Sequence, residues 1–365
     1  MPNNRSSGRH WESTGERAGH KLRQSPKGML GLVLGAGAAL TGLAFWARSQ
    51  TRDTERANPP AGTIIEVSGV KLHAVAGGSG RPVVFLHGMN AMVQDWRLSL
   101  LDQAQRSWRC VAFDRPGYGW SERPGWSRWG PERQAEVLRR AARRMGVERP
   151  VLVGHSFGAL VALAWALDYP DDVAGLVLIA PYCYPGRLKT PFLAAQSLGA
   201  LGGLARNTIS PMLGRTAMDK TIARVFAPNP VPDAMALYPT DMNLRPGQMR
   251  TQAEEFALMV PAARRLSERY SDIRAPLIIL TGDRDNMLDP VVHAIRLHRA
   301  VPHSTLSVVP EMGHMLHHFA APEILAAIGR VWHESDVQSR AVAPSPPPTR
   351  SPEQKGAPEQ RGAAG

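Results

Sequence analysis

Cysteine is nearly absent from this chain: Cys110 and Cys183 are the only two in 365 residues. Two thiols cannot build a cysteine-based metal site or a disulfide scaffold. Both stand in apolar strand-like or post-strand stretches, so they read as buried free thiols. There is no internal repeat, which excludes a solenoid or propeller. Acidic residues are scarce beside basic ones, 31 against 43, for a formal charge of +12. That excess does not indicate a nucleic-acid binder. About +5 lies in residues 1–60 and about +1 in residues 336–365, and the arginines of the remaining body are scattered. No nucleic-acid module is recognisable.

Charge is missing altogether from Met29 to Ala47, a run of mostly Leu, Ala, Gly and Val. As a helix it would be about 28 Å long, close to a bilayer core. Six basic residues precede it (Arg5, Arg9, Arg17, Lys21, Arg23 and Lys27), whereas Arg48, Arg52 and Arg56 behind it are partly offset by Asp53 and Glu55. The positive-inside bias places residues 1–28 in the cytoplasm and the body outside it, in the periplasm or beyond. Phe45-Trp46-Ala47-Arg48-Ser49-Gln50 supplies no good A-x-A cleavage site. The expectation is therefore an uncleaved single-span anchor at 29–47, with membrane lipid as its partner and 48–61 as linker. Cleaved export and a buried soluble helix are the alternatives. Residues 336–365, rich in Pro, Ser, Ala and Gly, read as a disordered tail.

Between these ends, residues 62–335 alternate strand and helix signals. A hairpin is expected at Thr63–Val67 and Val70–Ala76, then strands at 81–86, 109–113, 150–153, 173–180, 275–281 and 304–309. Helical stretches lie at 94–105, 131–145, 159–167, 289–300 and 321–332. Continuous apolar strands alternating with helices predict a mostly parallel sheet with an antiparallel start. The rhythm breaks at about 181–270, a helical segment that predicts a cap over the carboxyl ends of the strands. Its apolar residues Leu193, Leu198, Leu201, Leu204, Met212, Leu213, Phe226 and Met235 suit either an apolar substrate or the cap's own core.

The chemistry concentrates at Gly154-His155-Ser156-Phe157-Gly158, with an apolar strand before it and a helix after it. A strand, a G-x-S-x-G turn and a helix form a nucleophile elbow that lifts Ser156 clear of the sheet. A serine hydroxyl needs a base, and the base an orienting acid. His314 in Gly313-His314 is the expected base and Asp285 in Gly282-x-x-Asp285 the expected acid. Asp283 and Asp289 rival Asp285, and His317 and His318 rival His314. The oxyanion hole is expected from the backbone N–H groups of Met89 and Phe157. His87 is expected to brace the loop that carries Met89.

Strand-His87-Gly88, Trp96, Asp114-Arg115-Pro116-Gly117-Tyr118-Gly119-Trp120-Ser121, Gly-His-Ser-Phe-Gly, Gly-x-x-Asp and Gly-His together resemble the α/β-hydrolase fold superfamily. The resemblance implies an eight-stranded, mostly parallel sheet with helices on both faces, a helical cap, and a triad of Ser156, Asp285 and His314. Haloalkane dehalogenases and epoxide hydrolases are similar around Asp114–Gly117 but use an aspartate nucleophile, which Ser156 contradicts. The longer glycine run that follows His-Gly in one lipase and esterase group is missing. The expected activity is hydrolysis of a carboxylic ester with an apolar acyl part, or of a thioester or lactone, through an acyl-enzyme and without metal or organic cofactor. Alternatives are a cofactor-free haloperoxidase or perhydrolase, a carbon–carbon bond hydrolase, and a non-catalytic membrane-anchored scaffold.

Overall fold

The computed structural model describes residues 26–125, 129–186, 196 and 199–342. Eight strands form one sheet: β1 (Thr63–Val67), β2 (Val70–Gly77), β3 (Pro82–Leu86), β4 (Arg109–Phe113), β5 (Val151–His155), β6 (Gly175–Ile179), β7 (Leu277–Gly282) and β8 (Thr305–Val309). Their order across the sheet is β1-β2-β4-β3-β5-β6-β7-β8. The pairs β1–β2 and β2–β4 are antiparallel and every later pair is parallel. The mostly parallel sheet with an antiparallel start is thus present. β5 and β6 are buried at every position, as the apolar runs that make up β6 and most of β5 require. The chain leaves β3 toward β4 and returns on the other side as β5. That reversal opens a crevice at the carboxyl ends of β3 and β5.

The longer helices are α1 (Pro26–Ala57), α2 (Pro131–Arg144), α3 (Phe157–Asp168), α4 (Gly199–Arg206), α5 (Ser210–Phe226), α6 (Pro246–Ser267) and α7 (Ala321–Val342). Two apolar cores result. One packs α2 and α3 on the sheet face that carries Leu152 and Leu178. The other packs Trp96 and α7 on the face that carries Val153 and Val177. α3 is buried along almost its whole length, which explains why its sequence is apolar all round.

Three local expectations differ from the structure. The 94–105 helix is two short turns, Val93–Arg97 and Leu101–Ala104. The 289–300 helix begins as a wide turn at Val291–Ile295 before Arg296–Ala300. The closing helix runs on to Val342, so residues 336–342 do not belong to a disordered tail. Ser335 is buried, and Asp336 pairs with Arg81 at 2.8 Å beside the start of β3. Residues 343–365, residues 1–25, Leu193 and Leu198 lie outside the described residues.

The cap expected at 181–270 comprises α4, α5, α6 and short turns, with no strand among its described residues. Phe226, Met235, Tyr238 and Met242 join Met92 and Met315 in a third apolar cluster beneath it. α1 is one continuous helix of 32 residues, long and apolar enough to cross a membrane by length and composition. Its last turns pack on the body: Ala47 and Thr54 are buried, and Glu55 pairs with Arg245 at 2.9 Å. Both cysteines are free and buried.

Candidate active site

β5 ends at His155 and the chain turns into α3 at Ser156, whose φ of 52° and ψ of −117° lie outside ordinary side-chain-bearing conformations. Such a residue costs on the order of 1–3 kcal/mol unless its surroundings impose it. Two glycines impose it here. A Cβ at Gly158 would stand 2.1 Å from the Leu86 carbonyl oxygen, and one at Gly154 would stand 2.7 Å from the Ala159 Cα. Strand and helix therefore approach more closely than any side chain permits. The Ser156 N–H donates to the Ile179 carbonyl at 3.0 Å, and its carbonyl accepts from Tyr182 N–H at 3.1 Å. The elbow is thereby tied to β6.

The loop after β8 brings His314 over this turn. Its Nε2 lies 3.0 Å from the Ser156 hydroxyl and its Nδ1 2.8 Å from Asp285 Oδ2. The other carboxylate oxygen of Asp285 accepts from the N–H groups of Met287 and Leu288, at 2.8 and 2.9 Å. Burial alone would raise this carboxyl, but His314 and the two backbone donors outweigh it and hold the group below its ordinary value. Asp283 is exposed, and Asp289 accepts from the N–H of Val291 instead. His317 and His318 both point to Asp95, at 3.0 and 2.8 Å. The structure brings Ser156, His314 and Asp285 together and sets each rival elsewhere.

Met89 stands on the loop after β3 and Phe157 opens α3; both line the cavity above Ser156. The Phe157 N–H lies in the first turn, where a helix supplies no acceptor of its own. The Met89 loop is pressed onto the elbow: a Cβ at Gly88 would lie 3.0 Å from His155 Nδ1 and 3.2 Å from Ser156 Cβ. His87 braces that loop. Its Nε2 accepts from the Arg115 N–H at 2.9 Å and its Nδ1 donates to the Gly88 carbonyl at 2.8 Å. Burial and the Arg115 charge lower its pKa to about 4, so the ring is neutral. Arg115 in turn pairs with Glu255 of α6 at 2.6 Å, both side chains fully buried, and Tyr118 donates to the same carboxylate at 2.7 Å. The Asp-Arg-Pro-Gly stretch thus ties the Met89 loop to the cap.

Sequence reasoning missed the Arg115–Glu255 pair and two further features. His155 donates from Nε2 to the His314 carbonyl at 3.1 Å and lies against its ring, tilted by 49° with centroids 4.9 Å apart, propping the base from behind. Asp95 gathers His317 and His318 into a cluster whose ligand-type atoms lie within 4.8 Å of one another. The carboxylate–imidazole hydrogen bonds account for that convergence. No spacing rule connects residues 222 positions apart.

The cavity over Ser156 holds about 220 Å³. Met218, Ile222 and Val225 of α5, with Phe226, Met259 and Met287, make its wall apolar. Asn90, Tyr182 and Asn243 add polar atoms, and no Lys or Arg lines it among the described residues. Of the apolar cap residues singled out from sequence, Phe226 and Met235 line the cavity. Leu201, Leu204, Met212 and Leu213 are exposed.

A family model described as alpha/beta hydrolase fold matches residues 81–321. The 2-hydroxy-6-oxo-2,4-heptadienoate hydrolase of Pseudomonas putida is 28% identical over 269 residues, 70% of this chain and 91% of that protein. A 2-hydroxymuconate semialdehyde hydrolase of a Pseudomonas species is 26% identical over 292 residues, 76% of this chain and 96% of its own. Among solved structures, a membrane phospholipase A described as a bacterial virulence factor superposes with a TM-score of 0.57 at 23% identity. It covers 86% of this chain and 99% of its own. A meta-cleavage product hydrolase superposes with a TM-score of 0.56 at 20% identity, covering 76% and 100%. The two relatives matched by sequence are named for a dienoate and a semialdehyde substrate, not for an ester.

Proposed function

We propose that this chain, which belongs to the alpha/beta hydrolase fold family, is a serine hydrolase of carboxylic esters with an apolar acyl part. The observation that carries the reading is the unbroken chain Ser156–His314–Asp285, at 3.0 and 2.8 Å, at the floor of an apolar cavity. Ser156 Oγ attacks the carbonyl carbon while His314 Nε2 takes its proton, and Asp285 stabilises the imidazolium. The N–H groups of Met89 and Phe157 receive the developing oxyanion. Collapse expels the alcohol with the proton from His314. Water, activated by the same nitrogen, then releases the acid.

The apolar wall, with no Lys or Arg among its described residues, supports an ester substrate, since an anionic dienoate would call for a positive partner. The membrane reading of α1 also supports it, as does the wide overlap with a structure described as a membrane phospholipase A. On that reading residues 29–47 span the bilayer, with residues 1–28 cytoplasmic and the body outside. A second reading, carbon–carbon bond hydrolysis, is favoured by the sequence relatives. The same triad serves it, provided that the substrate's conjugation lets the leaving carbon depart with its electron pair and accept a proton.

Detergent-solubilised full-length protein should react with a fluorophosphonate probe at Ser156. It should also turn over p-nitrophenyl esters, with kcat/KM rising from acetyl toward medium-length acyl chains. Efficient cleavage of 2-hydroxy-6-oxo-2,4-heptadienoate with negligible esterase activity would replace the ester reading by the second. No labelling at Ser156 in folded protein would overturn both.

A further inference from the structure

We propose that the outer corner of the cap, formed by α4 and the start of α5, lies in the membrane surface beside α1 and admits substrate from the lipid. The inference rests on the anchor reading of α1 and on the ester reading of the site. Seventeen large apolar residues are exposed among the described ones. Five of them (Met29, Leu30, Leu34, Leu40 and Phe45) belong to the apolar run of α1. Five more (Leu201, Leu204, Ile209, Met212 and Leu213) crowd into thirteen residues of the cap. A soluble face with that density of exposed Leu, Ile and Met has no reason to persist unless something apolar covers it.

Its position says what covers it. At about 1.5 Å per residue, α1 is about 48 Å long, well beyond a bilayer core of about 30 Å. The surplus is its last turns, and these dock on the cap. Trp46, Ala47 and Gln50 share a crevice with Pro211 and Arg215 of α5. Arg215 donates to Gln50 at 3.1 Å, and Trp120 Nε1 donates to the Asn58 carbonyl at 3.0 Å. The end of the apolar run therefore meets the beginning of α5, where Ile209, Met212 and Leu213 stand. Trp46 marks the boundary, a position at which tryptophan is favoured, and Arg48 and Arg52 follow it, placed to meet anionic headgroups. A helix docked in this way holds the apolar corner at the same level as the membrane surface. α5 continues inward from that corner: Met218, Ile222 and Val225, spaced four and three residues apart, line one side of the cavity over Ser156. One helix thus carries an apolar surface from the lipid to the nucleophile.

The test reads depth and does not depend on activity. Cys110 and Cys183 are buried, and burial pushes the Cys110 thiol up to about 12 and the Cys183 thiol above its ordinary value, so both resist labelling. Single cysteines at Leu201→Cys, Leu213→Cys, Phe45→Cys and Val337→Cys can then carry an environment-sensitive fluorophore in full-length protein in phosphatidylcholine–phosphatidylglycerol vesicles. Quenching by doxyl-labelled lipid is expected at 201, 213 and 45. None is expected at 337, which is also exposed but lies beside Asp336, near the start of β3 and so at the end of the strands opposite the cap. Quenching at 45 without quenching at 201 or 213 overturns the inference, including the case in which those fluorophores are covered by protein. Absence of quenching at 45 overturns the anchor and the surface with it. In a second measurement, Leu201→Glu with Leu213→Glu should leave p-nitrophenyl butyrate turnover unchanged and lower turnover of a long-chain ester held in vesicles at least tenfold. Unchanged turnover of the vesicle-held ester refutes the access route. Loss of all esterase activity in wild type, with quenching intact, refutes the ester reading alone.

Discussion

Replacing Asp285 by asparagine changes one oxygen to an amide nitrogen at nearly constant volume, and the surroundings dictate how that amide sits. Oδ1 accepts from the N–H groups of Met287 and Leu288, so the asparagine oxygen must take that position. The NH₂ then faces His314 Nδ1 where Oδ2 stood at 2.8 Å. It can only donate there, which forces Nδ1 to accept and moves the ring proton to Nε2. Nε2, 3.0 Å from the Ser156 hydroxyl, then carries a hydrogen and cannot take the serine proton. Where a triad aspartate is replaced this way, kcat falls about 10⁴-fold through the wrong tautomer, or about 5.5 kcal/mol of barrier. Fluorophosphonate labelling and p-nitrophenyl butyrate turnover should both show that loss, while the thermal midpoint stays within a few degrees of wild type. Asp283→Asn should change the rate less than twofold. A rate within tenfold of wild type for Asp285→Asn would refute Asp285 as the orienting acid and His314 as the base it orients.

Ser156→Ala should abolish labelling with the fold intact, because only a hydroxyl is removed; residual turnover above about one part in a thousand would contradict a nucleophilic serine. Glu255→Ala strands the buried Arg115 and should cost about 3–5 kcal/mol in urea unfolding, with little destabilisation refuting the cap tie. Burial by itself would raise the Glu255 carboxyl, but Arg115, Arg123 and Tyr118 hold it below its ordinary value. Its contribution is therefore fully present above about pH 4.5, the unfolded carboxyl's range. That contribution is lost as pH falls toward the lower folded value, so urea midpoints of wild type and Glu255→Gln should converge below about pH 4. Ile222→Trp should fill the cavity wall and lower kcat/KM for a dodecanoyl ester at least tenfold relative to a butyryl one; an unchanged ratio would place the acyl chain elsewhere.

The hairpin, the parallel strands, the elbow and the order Ser, acid, His were all legible in the amino-acid sequence. Each is written in a local pattern, such as an unbroken apolar run or a glycine at a fixed offset, and local sterics enforce it. Gly154 and Gly158 are examples, since no other residue leaves room for the backbones that meet there. The choice of Asp285 over Asp283 and Asp289 was narrowed by sequence but decided by packing, because three aspartates on one loop differ only in where the fold points them. Asp95 with His317 and His318, His155 behind His314, and Arg115 with Glu255 were not legible at all. Those partners are brought together across as many as 223 positions by the sheet and the cap. The closing helix is longer than its sequence suggests: residues 336–342 read as a tail, yet they continue the helix, and Asp336 pairs with Arg81. Composition alone also left two uses open for the cap's leucines and methionines. Their sidedness became visible only when α5 turned Met218, Ile222 and Val225 to the cavity and left Met212 and Leu213 outside. Periodicity states which residues share a face; only the packed structure states what that face meets.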